Sequence, residues 1–274
     1  MELKFFCPRW GSESLSWDDF FSKVKTANYD GVEIGFPFSL SDKEQEEILS
    51  GLKRHKLAVI GQHWQTIDSD FNTHQQTFKK HLYSLATLNP LFINSQTGKD
   101  YFTIEQNLAL IAIADEISSE TGIKILHETH RGKWSFAAHI TYQYLKLAPH
   151  IRITLDISHW FNVAESLLND QRQAVEMAIH HADHLHARVG FQEGPQVIDP
   201  RTPENKEILA IHLNIWDKLI ALKKKSNQDY FTITPEFGAP PYQHVHPGTK
   251  QPITKQWDVN VWMKELLKSR FEVQ

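Results

Sequence analysis

The amino-acid sequence predicts an α/β fold, a (β/α)₈ TIM barrel that forms a single domain over residues 1–274. Short apolar runs alternate with longer helix-like stretches, at the roughly 25–50-residue spacing of βαβ units. The short runs lack strict apolar–polar alternation, as expected of parallel strands that are covered by helices. The length of 274 residues is close to the ~250 residues typical of such a barrel. No linker rich in Pro, Gly or Ser divides the chain, which favours one domain.

The first four strand–helix pairs follow from β-branched or apolar runs and from helix-end signals. Runs such as LKFFCP, GVEIG and LAVIGQ favour strands. Ser16 offers an N-cap to the first helix, and Asp18 and Asp19 suit its first turn. Gly122 ends the fourth helix, because glycine accepts the left-handed backbone of a C-cap. The predicted strands cover residues 3–8, 31–35, 57–62 and 91–95, and the predicted helices cover 16–27, 42–55, 72–88 and 104–120.

The last four pairs rest on the runs IKILHE, IRITLD, HLHARV and YFTITPE. Pro149 stops the fifth helix, since proline cannot continue one. Two strand-to-helix loops are long, 190–204 and 238–258, and long loops in compact domains are usually functional or disordered. They follow strands seven and eight, where barrel enzymes often bind anionic groups. The predicted strands cover 123–128, 151–156, 184–189 and 230–236, and the predicted helices cover 135–147, 164–181, 205–225 and 259–271.

Composition and charge restrict the function classes. Hydrophobic residues make up 41% and aromatic residues 11% of the chain, enough for a large core and against disorder. A net charge of −4 and a pI near 6.5 leave no basic footprint, so no nucleic-acid partner is predicted. No apolar run approaches the ~20 residues of a membrane helix, so no membrane partner is predicted. The acidic, strand-like N-terminus does not resemble a signal peptide, and the single Cys7 forms no internal disulfide; both favour the cytoplasm.

Four predicted strands in the second half end in metal-seeking residues, which are Glu128, Asp156, His186 and Glu236. A (β/α)₈ barrel places its chemistry at the C-terminal ends of its strands. We therefore expect these carboxylate and imidazole groups to surround one point. Hard oxygen and imidazole donors suit a single divalent cation such as Mn²⁺, Mg²⁺, Co²⁺ or Zn²⁺.

Each of these residues, taken singly, also has an interpretation without a metal. Glu128 or Glu236 would then pair with a neighbouring Arg or Lys, since ion-pair networks occur at such sites. Asp156 would cap a short turn. The presence of all four at consecutive strands favours a metal site, because metal sites need convergent ligands.

Further side chains are candidates for binding a substrate. Arg188 shares a strand face with His186, because side chains alternate along a strand, and its planar fork suits a substrate oxygen or phosphate. His159 lies three residues after Asp156. This position suits a hydrogen-bond donor to substrate or a proton shuttle, and a structural histidine is the alternative. Aromatic walls with a few polar groups are typical of small-molecule pockets. On that basis Trp10, His63 and Trp64, which follow strands one and three, are predicted substrate contacts, although packing explains each one singly.

With these motifs in view, nearly the whole chain resembles the xylose isomerase-like TIM-barrel superfamily, the sugar (phosphate) isomerase/epimerase group. The motifs are HETHRG, the D-x-x-H pattern, HLHARVG and TPEFG. The resemblance implies a metal held by Glu128, Asp156, His186 and Glu236, with both glutamates also acting as the acid/base pair. It implies substrate contacts for His159 and Arg188. Relatives are often dimers or tetramers, so a homo-oligomer is also allowed.

The implied function is a metal-dependent isomerase or epimerase acting on a keto sugar, a sugar phosphate or a related polyol ketone. One glutamate would remove a proton from carbon and the other would return it, through an enediolate. One alternative is a lyase or dehydratase acting on a keto sugar or inosose, which begins with the same proton abstraction and expels a β-leaving group. A non-catalytic sugar-binding barrel is a third interpretation, against which the full ligand set argues.

A nuclease ranks last among the alternatives. The apurinic-site endonucleases of the same superfamily use three zinc ions, with extra ligands at the end of strand four and in an Asp-x-His motif after strand seven. This chain has Asn94-Ser95-Gln96 at the first place and no Asp-x-His within residues 197–201. A trinuclear cluster is therefore not expected.

Overall fold

Eight parallel strands close into a barrel in the computed structural model, which describes residues 1–36, 40–226 and 228–272. Each strand pairs with the next, and the last pairs with the first. The predicted (β/α)₈ fold is thus confirmed; the domain bounds 1–274 stay a prediction. The strands are Glu2–Pro8 (β1), Gly31–Ile34 (β2), Ala58–His63 (β3), Ile93–Ser95 (β4), Ile125–Glu128 (β5), Ile153–Leu155 (β6), Ala182–Ala187 (β7) and Tyr230–Pro235 (β8).

Helices surround this barrel, and several begin or end where the sequence signals place them. The Ser16 side chain accepts a hydrogen bond from the Asp19 N–H at 3.1 Å, and Gly122 ends a helix with φ of +72°. None of the described helices is long and apolar enough to cross a membrane. The helices are Trp17–Thr26 (α1), Asp42–His55 (α2), Phe71–Ala86 (α3), Ile104–Thr121 (α4), Ala138–Leu147 (α5), Ser158–Ala164 (α6), Arg172–His181 (α7), Lys206–Lys224 (α8) and Gln256–Glu272 (α9).

The start of the helix predicted over 164–181 is wrong, because α6 ends at Ala164 and α7 begins only at Arg172. Glu165 and Leu168, which lie between these two helices, have φ of +46° and +57°, and a right-handed helix cannot continue through such residues. Helix α6 instead begins directly after β6, where Asp156 Oδ1 accepts hydrogen bonds from the Ser158 N–H at 3.0 Å and from Ser158 Oγ at 2.5 Å. This early start places His159 in the first turn of a helix at the barrel mouth.

The barrel interior has an apolar floor and a polar upper layer. Phe6, Ile60, Phe92 and Leu126 form an apolar cluster separate from the main core. Side chains two residues further along each strand point to the same side. The positions above Ile60, Phe92 and Leu126 hold buried polar residues, which are Gln62 on β3, Asn94 on β4 and Glu128 on β5. These polar groups lie at the C-terminal ends of their strands, where a barrel of this kind places its chemistry.

Candidate metal centre

The structure brings Glu128, Asp156, His186 and Glu236 together, and we call them the four-donor cluster. One donor atom from each lies within 4.8 Å of the others. All four side chains are buried, with at most 2% of each residue exposed. They come from the ends of β5 and β7 and from the residues directly after β6 and β8. Barrel closure therefore joins residues that lie up to 108 positions apart in the sequence, Glu128 and Glu236.

His186 is oriented so that one ring nitrogen faces the acidic cluster. Its Nδ1 lies 2.8 Å from Glu236 Oε2 and 3.7 Å from Glu128 Oε1. No hydrogen bond at acceptable angles is made by this buried atom within the described residues. The opposite nitrogen, Nε2, lies 3.0 Å and 3.1 Å from the two carboxylate oxygens of Glu33. A histidine that ligates a metal usually donates its other N–H to a carboxylate in this way.

Arg188 lies inside the cluster as a fixed positive charge. Its Nε donates to Asp156 Oδ2 at 3.0 Å, and its Nη2 donates to Glu236 Oε2 at 2.5 Å. The pairing of Glu236 with an arginine, which the interpretation without a metal expects, is therefore present alongside the convergence of the four donors. The two carboxylates raise the pKa of Arg188 although burial opposes this.

The charges of the buried groups do not balance within the protein. Glu33 and the three carboxylates of the four-donor cluster face Arg188 and, when protonated, His186. Full ionisation leaves two negative charges without a partner among these groups, and buried uncompensated charge is costly. A divalent cation that replaces the His186 proton would reduce the excess from two negative charges to one, and His186 Nδ1 together with carboxylate oxygens matches the donors such cations accept. The residues present therefore fit a metal ion.

The pKa values in the cluster respond to this crowding in opposite directions. Burial would raise the pKa of Glu128, but the His186 charge lowers it to about 2. Burial raises the pKa of Asp156 to about 6, although the Arg188 charge opposes this. Carboxylate partners raise the pKa of His186 well above its usual value against the effect of burial. Glu128 is therefore ionised at neutral pH, and His186 is protonated when no cation replaces its proton.

Three polar residues that we did not predict as site residues support the two glutamates. Asn94 Nδ2 donates to Glu128 Oε2 at 3.1 Å and to Glu33 Oε1 at 3.0 Å. Gln62 Nε2 donates to Glu236 Oε1 at 3.3 Å. The third residue, Glu33, lies within the apolar run GVEIG, contacts His186 and is linked to Glu128 through Asn94. Gln62 and Asn94 each lie two positions after a residue of the apolar floor, Ile60 and Phe92. Strand alternation could therefore have placed both beside the cluster.

Two histidines form a neutral pair at the edge of the cluster. His159, predicted to bind substrate, has Nε2 3.6 Å from Asp156 Oδ2, and neither ring nitrogen makes a hydrogen bond within the described residues. Its ring centroid lies 3.9 Å from that of His130. Burial lowers the pKa of His159 well below its usual value and lowers the pKa of His130 to about 4. Both rings are thus neutral, and His130 is a site residue that the sequence analysis missed.

Trp10 lies near the cluster, as predicted for a pocket wall. The Arg188 guanidinium carbon is 5.6 Å from the centroid of its ring. Gly238, after β8, has no side chain to compete with the indole, since a Cβ there would lie 2.2 Å from Trp10 Cη2. The sequence signal for Trp10 was its place after β1, and barrel closure brings that place beside the end of β8.

His63 and Trp64 are not brought to the cluster. His63 was predicted to contact substrate, but its Nδ1 contacts Ser95 Oγ at 2.9 Å and its Nε2 contacts Thr66 Oγ1 at 2.7 Å, away from the cluster. Its ring packs against Phe78 of α3, outside the barrel interior. Trp64 is 51% exposed at the rim. Side chains alternate along a strand, so Gln62 points inward and His63 points outward.

Solved structures with the same fold include enzymes of several kinds. A xylose isomerase domain containing protein from Salmonella typhimurium LT2 superposes with a TM-score of 0.66 at 13% identity, over 97% of this chain and 96% of that chain. The probable 3-DHS dehydratase AsbF from Bacillus anthracis gives 0.59 at 15% identity, over 98% and 100%. An AP endonuclease of family 2 from Brucella melitensis gives 0.61 at 15% identity, over 96% and 98%.

No protein-family model and no curated protein sequence matches this chain. The structural neighbours are xylose isomerase-like TIM-barrel proteins, so the resemblance expected from the sequence is confirmed at the level of the fold. At these identities the likeness carries the fold alone.

Proposed function

We propose that this chain is a divalent-metal-dependent isomerase or epimerase that acts on a keto sugar or a related polyol ketone. The observation that carries the proposal is the convergence of the four-donor cluster around His186 Nδ1, a buried nitrogen aimed at two glutamates. This atom lies in an ion pair with Glu236 but makes no well-aligned hydrogen bond within the described residues, which is unusual for a buried polar atom in a purely structural network.

Glu128, Asp156, His186 and Glu236 would hold the cation. When bound, the cation supplies positive charge that polarises a substrate carbonyl and stabilises negative charge on its oxygen. Its identity is open among Mn²⁺, Mg²⁺, Co²⁺ and Zn²⁺, because mixed carboxylate and imidazole donors suit all four. Arg188 holds Asp156 and Glu236 in place through its hydrogen bonds to both.

The two glutamates are proposed to move the proton between carbon atoms. They come from β5 and from the end of β8, and both approach His186 Nδ1. One removes the proton next to a carbonyl, and the other returns it to the opposite face of the same carbon or to a neighbouring carbon. Glu128 is ionised at neutral pH, as a proton acceptor must be, although its lowered pKa makes it a weaker base until the approach of substrate changes its surroundings. His159 and Arg188, with Trp10 and Trp64 at the rim, are proposed to contact the sugar.

A lyase or dehydratase acting on a keto sugar or inosose is the second candidate. The observation that favours it is the pair of His130 and His159 beside the carboxylates, since an imidazole can relay a proton to a leaving hydroxyl from one ring nitrogen while it takes up another proton at its second nitrogen. The fold of a probable dehydratase is similar. Loss of water, detected as a mass decrease in the product, would identify this reaction.

The proposed partner is a small sugar or sugar phosphate. The fold of an AP endonuclease is also similar, so the fold does not distinguish sugar from nucleic acid. We therefore include cleavage of abasic duplex DNA as a direct check. The cytoplasmic location and a homo-oligomer stay predictions.

Isotope exchange tests the proposal. With a cation bound, the protein should exchange a carbon-bound proton of a keto sugar with deuterium from solvent. Glu128→Gln and Glu236→Gln should each abolish this exchange while circular dichroism shows an intact fold. Normal exchange in both variants, or exchange that survives removal of the cation by a chelator, would exclude the proposed acid/base pair or the metal.

A further inference from the structure

Tyr242 covers the four-donor cluster. Its ring centroid lies 4.7 Å from the guanidinium carbon of Arg188 and 4.8 Å from that of Arg131. The ring meets Trp10 edge-on at 5.2 Å, and its hydroxyl lies 3.3 Å from His130 Nε2. The side chains proposed to contact a substrate thus surround a phenol ring of the protein itself.

The mouth of the barrel is closed in this arrangement. The four donors are at most 2% exposed, and a cavity of about 580 Å³ beside Trp10 is lined by none of them. A substrate therefore reaches the cluster only if a covering side chain moves. Tyr242 lies on the long segment between β8 and α9. Among the described residues of this segment there is no helix or strand, only a single β-bridge between Val245 and Pro252. Loops of this kind commonly move over active sites.

Arg131 differs from Arg188 in its partners. Arg188 is held by two carboxylates. Arg131, three residues after Glu128, makes no ion pair with a carboxylate within the described residues, and its side chain donates one long hydrogen bond to Asn162 Oδ1 at 3.4 Å. It is half-buried, so most of its five N–H donors remain available at the mouth.

We propose that Tyr242 is a gate and that the place its ring now occupies over Arg131 and Arg188 receives an anionic end of the substrate, a carboxylate or a phosphate, once the ring has moved. This inference rests on the proposed function and specifies its substrate class. A guanidinium group is attracted more weakly to the face of an aromatic ring than to an anion that accepts its charge-assisted hydrogen bonds. An anionic group can therefore displace the phenol ring, whereas a neutral sugar offers the two guanidinium groups no comparable partner.

Binding of three matched ketoses tests the substrate class. D-fructose, D-fructose 6-phosphate and D-fructuronate differ in the group at one end, and calorimetry on the cation-loaded protein gives their Kd values. At least one anionic ketose should bind about tenfold or more tightly than D-fructose, as expected for a charge-assisted contact. The tighter of the two anions identifies phosphate or carboxylate as the preferred group.

Arg131→Gln should remove this preference for the anion, because the anionic ketoses should lose much more affinity than D-fructose. Arg172→Gln is the matched control, because it removes the same charge from an exposed position at the start of α7. Equal affinity for all three ketoses in the unmodified protein would overturn the inference, as would an equal loss of affinity for all three in Arg131→Gln.

The gate has its own readout. Tyr242→Ala should let a chelator remove the cation about tenfold faster, whereas Tyr242→Phe, which keeps the ring, should change this rate little. An unchanged rate in Tyr242→Ala would contradict a covering role. Proton exchange in D-fructose without a preference for anions would refute this inference and leave the proposed function standing. Anion binding that depends on Arg131, with no exchange in any ketose, would support this inference and contradict the proposed function.

Discussion

The Nε2 atom of His186 lies 3.0 Å from Oε1 of Glu33, and both residues are buried in the barrel interior. Glu33 also accepts hydrogen bonds from Asn94 at 3.0 Å and from Thr234 Oγ1 at 2.5 Å, so its carboxylate is fixed on two further sides. Because Glu33 binds one imidazole nitrogen, the other is directed at the four-donor cluster. A carboxylate from β2 thus determines how a histidine from β7 faces the proposed cation.

Glu33→Gln should therefore weaken cation binding about 10–100-fold, which is the usual effect of losing the carboxylate partner of a ligating histidine. Calorimetric titration of the metal-free protein with Mn²⁺ or Co²⁺ gives the Kd. Glu207→Gln, an exposed substitution on α8, serves as the control and should leave the Kd unchanged. An unaltered Kd in Glu33→Gln would show that His186 is held by other contacts.

Gly238→Ala should disturb the aromatic cover. An added Cβ would lie 2.2 Å from Trp10 Cη2 and 2.4 Å from Cζ3, so the indole must move. We expect a loss of stability of about 1–3 kcal/mol from overpacking, measured by urea unfolding, and a higher KM for the ketose. Gly132→Ala is a useful comparison, because it has φ of +74° but nothing within 4 Å of the added carbon. A wild-type KM in Gly238→Ala would separate Trp10 from substrate binding.

His159→Asn should raise KM while leaving the Kd of the cation close to that of the unmodified protein. The ring makes no hydrogen bond within the described residues, and its Nε2 lies 3.6 Å from Asp156 Oδ2. Its removal should therefore break no hydrogen bond within the protein and should remove one hydrogen bond to a bound sugar. Loss of one such hydrogen bond costs about 0.5–1.5 kcal/mol, which corresponds to an increase in KM of roughly 2–13-fold. A change confined to cation affinity would assign His159 to the metal instead.

Asp183 gives a prediction about stability alone, at the opposite end of β7. Its carboxylate pairs with Arg152 at 2.6 Å, with Lys223 at 2.9 Å and with Lys124. Burial would raise its pKa, but hydrogen bonds from Arg152 and Lys124 lower it. A lowered pKa adds stability that is present above the unfolded value of about 3.9 and lost as the pH falls through the folded value.

Asp183→Asn should accordingly destabilise the protein at pH 7 by about 3 kcal/mol, the order expected when one partner of a buried ion pair is removed. The difference in free energy of unfolding should shrink below about pH 4, because the unfolded state of the unmodified protein then binds a proton at Asp183 that the folded state, with its lowered pKa, does not bind. Cation affinity should not change. A difference that stays constant down to pH 2 would show that packing, not charge, stabilises this site.

Much of the fold was predictable because its signals are local. The order of strands and helices follows from apolar runs and from residues such as Ser16 and Gly122, whose side-chain chemistry acts within a few positions of the chain. The helix predicted over 164–181 failed for a local reason of another kind. The left-handed backbone at Glu165 and Leu168 occurs at residue types that seldom adopt it, and nothing in their identity announces a break.

The residues of the candidate site were likewise predictable where the signal is local and not where it depends on side-chain direction. Glu128, Asp156, His186 and Glu236 were recognised because each follows an apolar run, and a parallel barrel gathers such ends at one face. His63 was assigned to the site because it also follows a strand, yet strand alternation turns its ring outward and leaves Gln62 facing the cluster.

The amino-acid sequence by itself therefore determined the barrel, the order of its elements and the donors at four strand ends, because periodicity and residue type are properties of short segments. Only the tertiary structure decided which nitrogen of His186 faces the cluster, that Arg188 binds two of its carboxylates, and that Tyr242 covers the mouth. These relationships join side chains from distant segments, including β2 with β7 and β5 with the loop after β8. Their distances exist only after the barrel has closed and side-chain rotamers have been selected by packing.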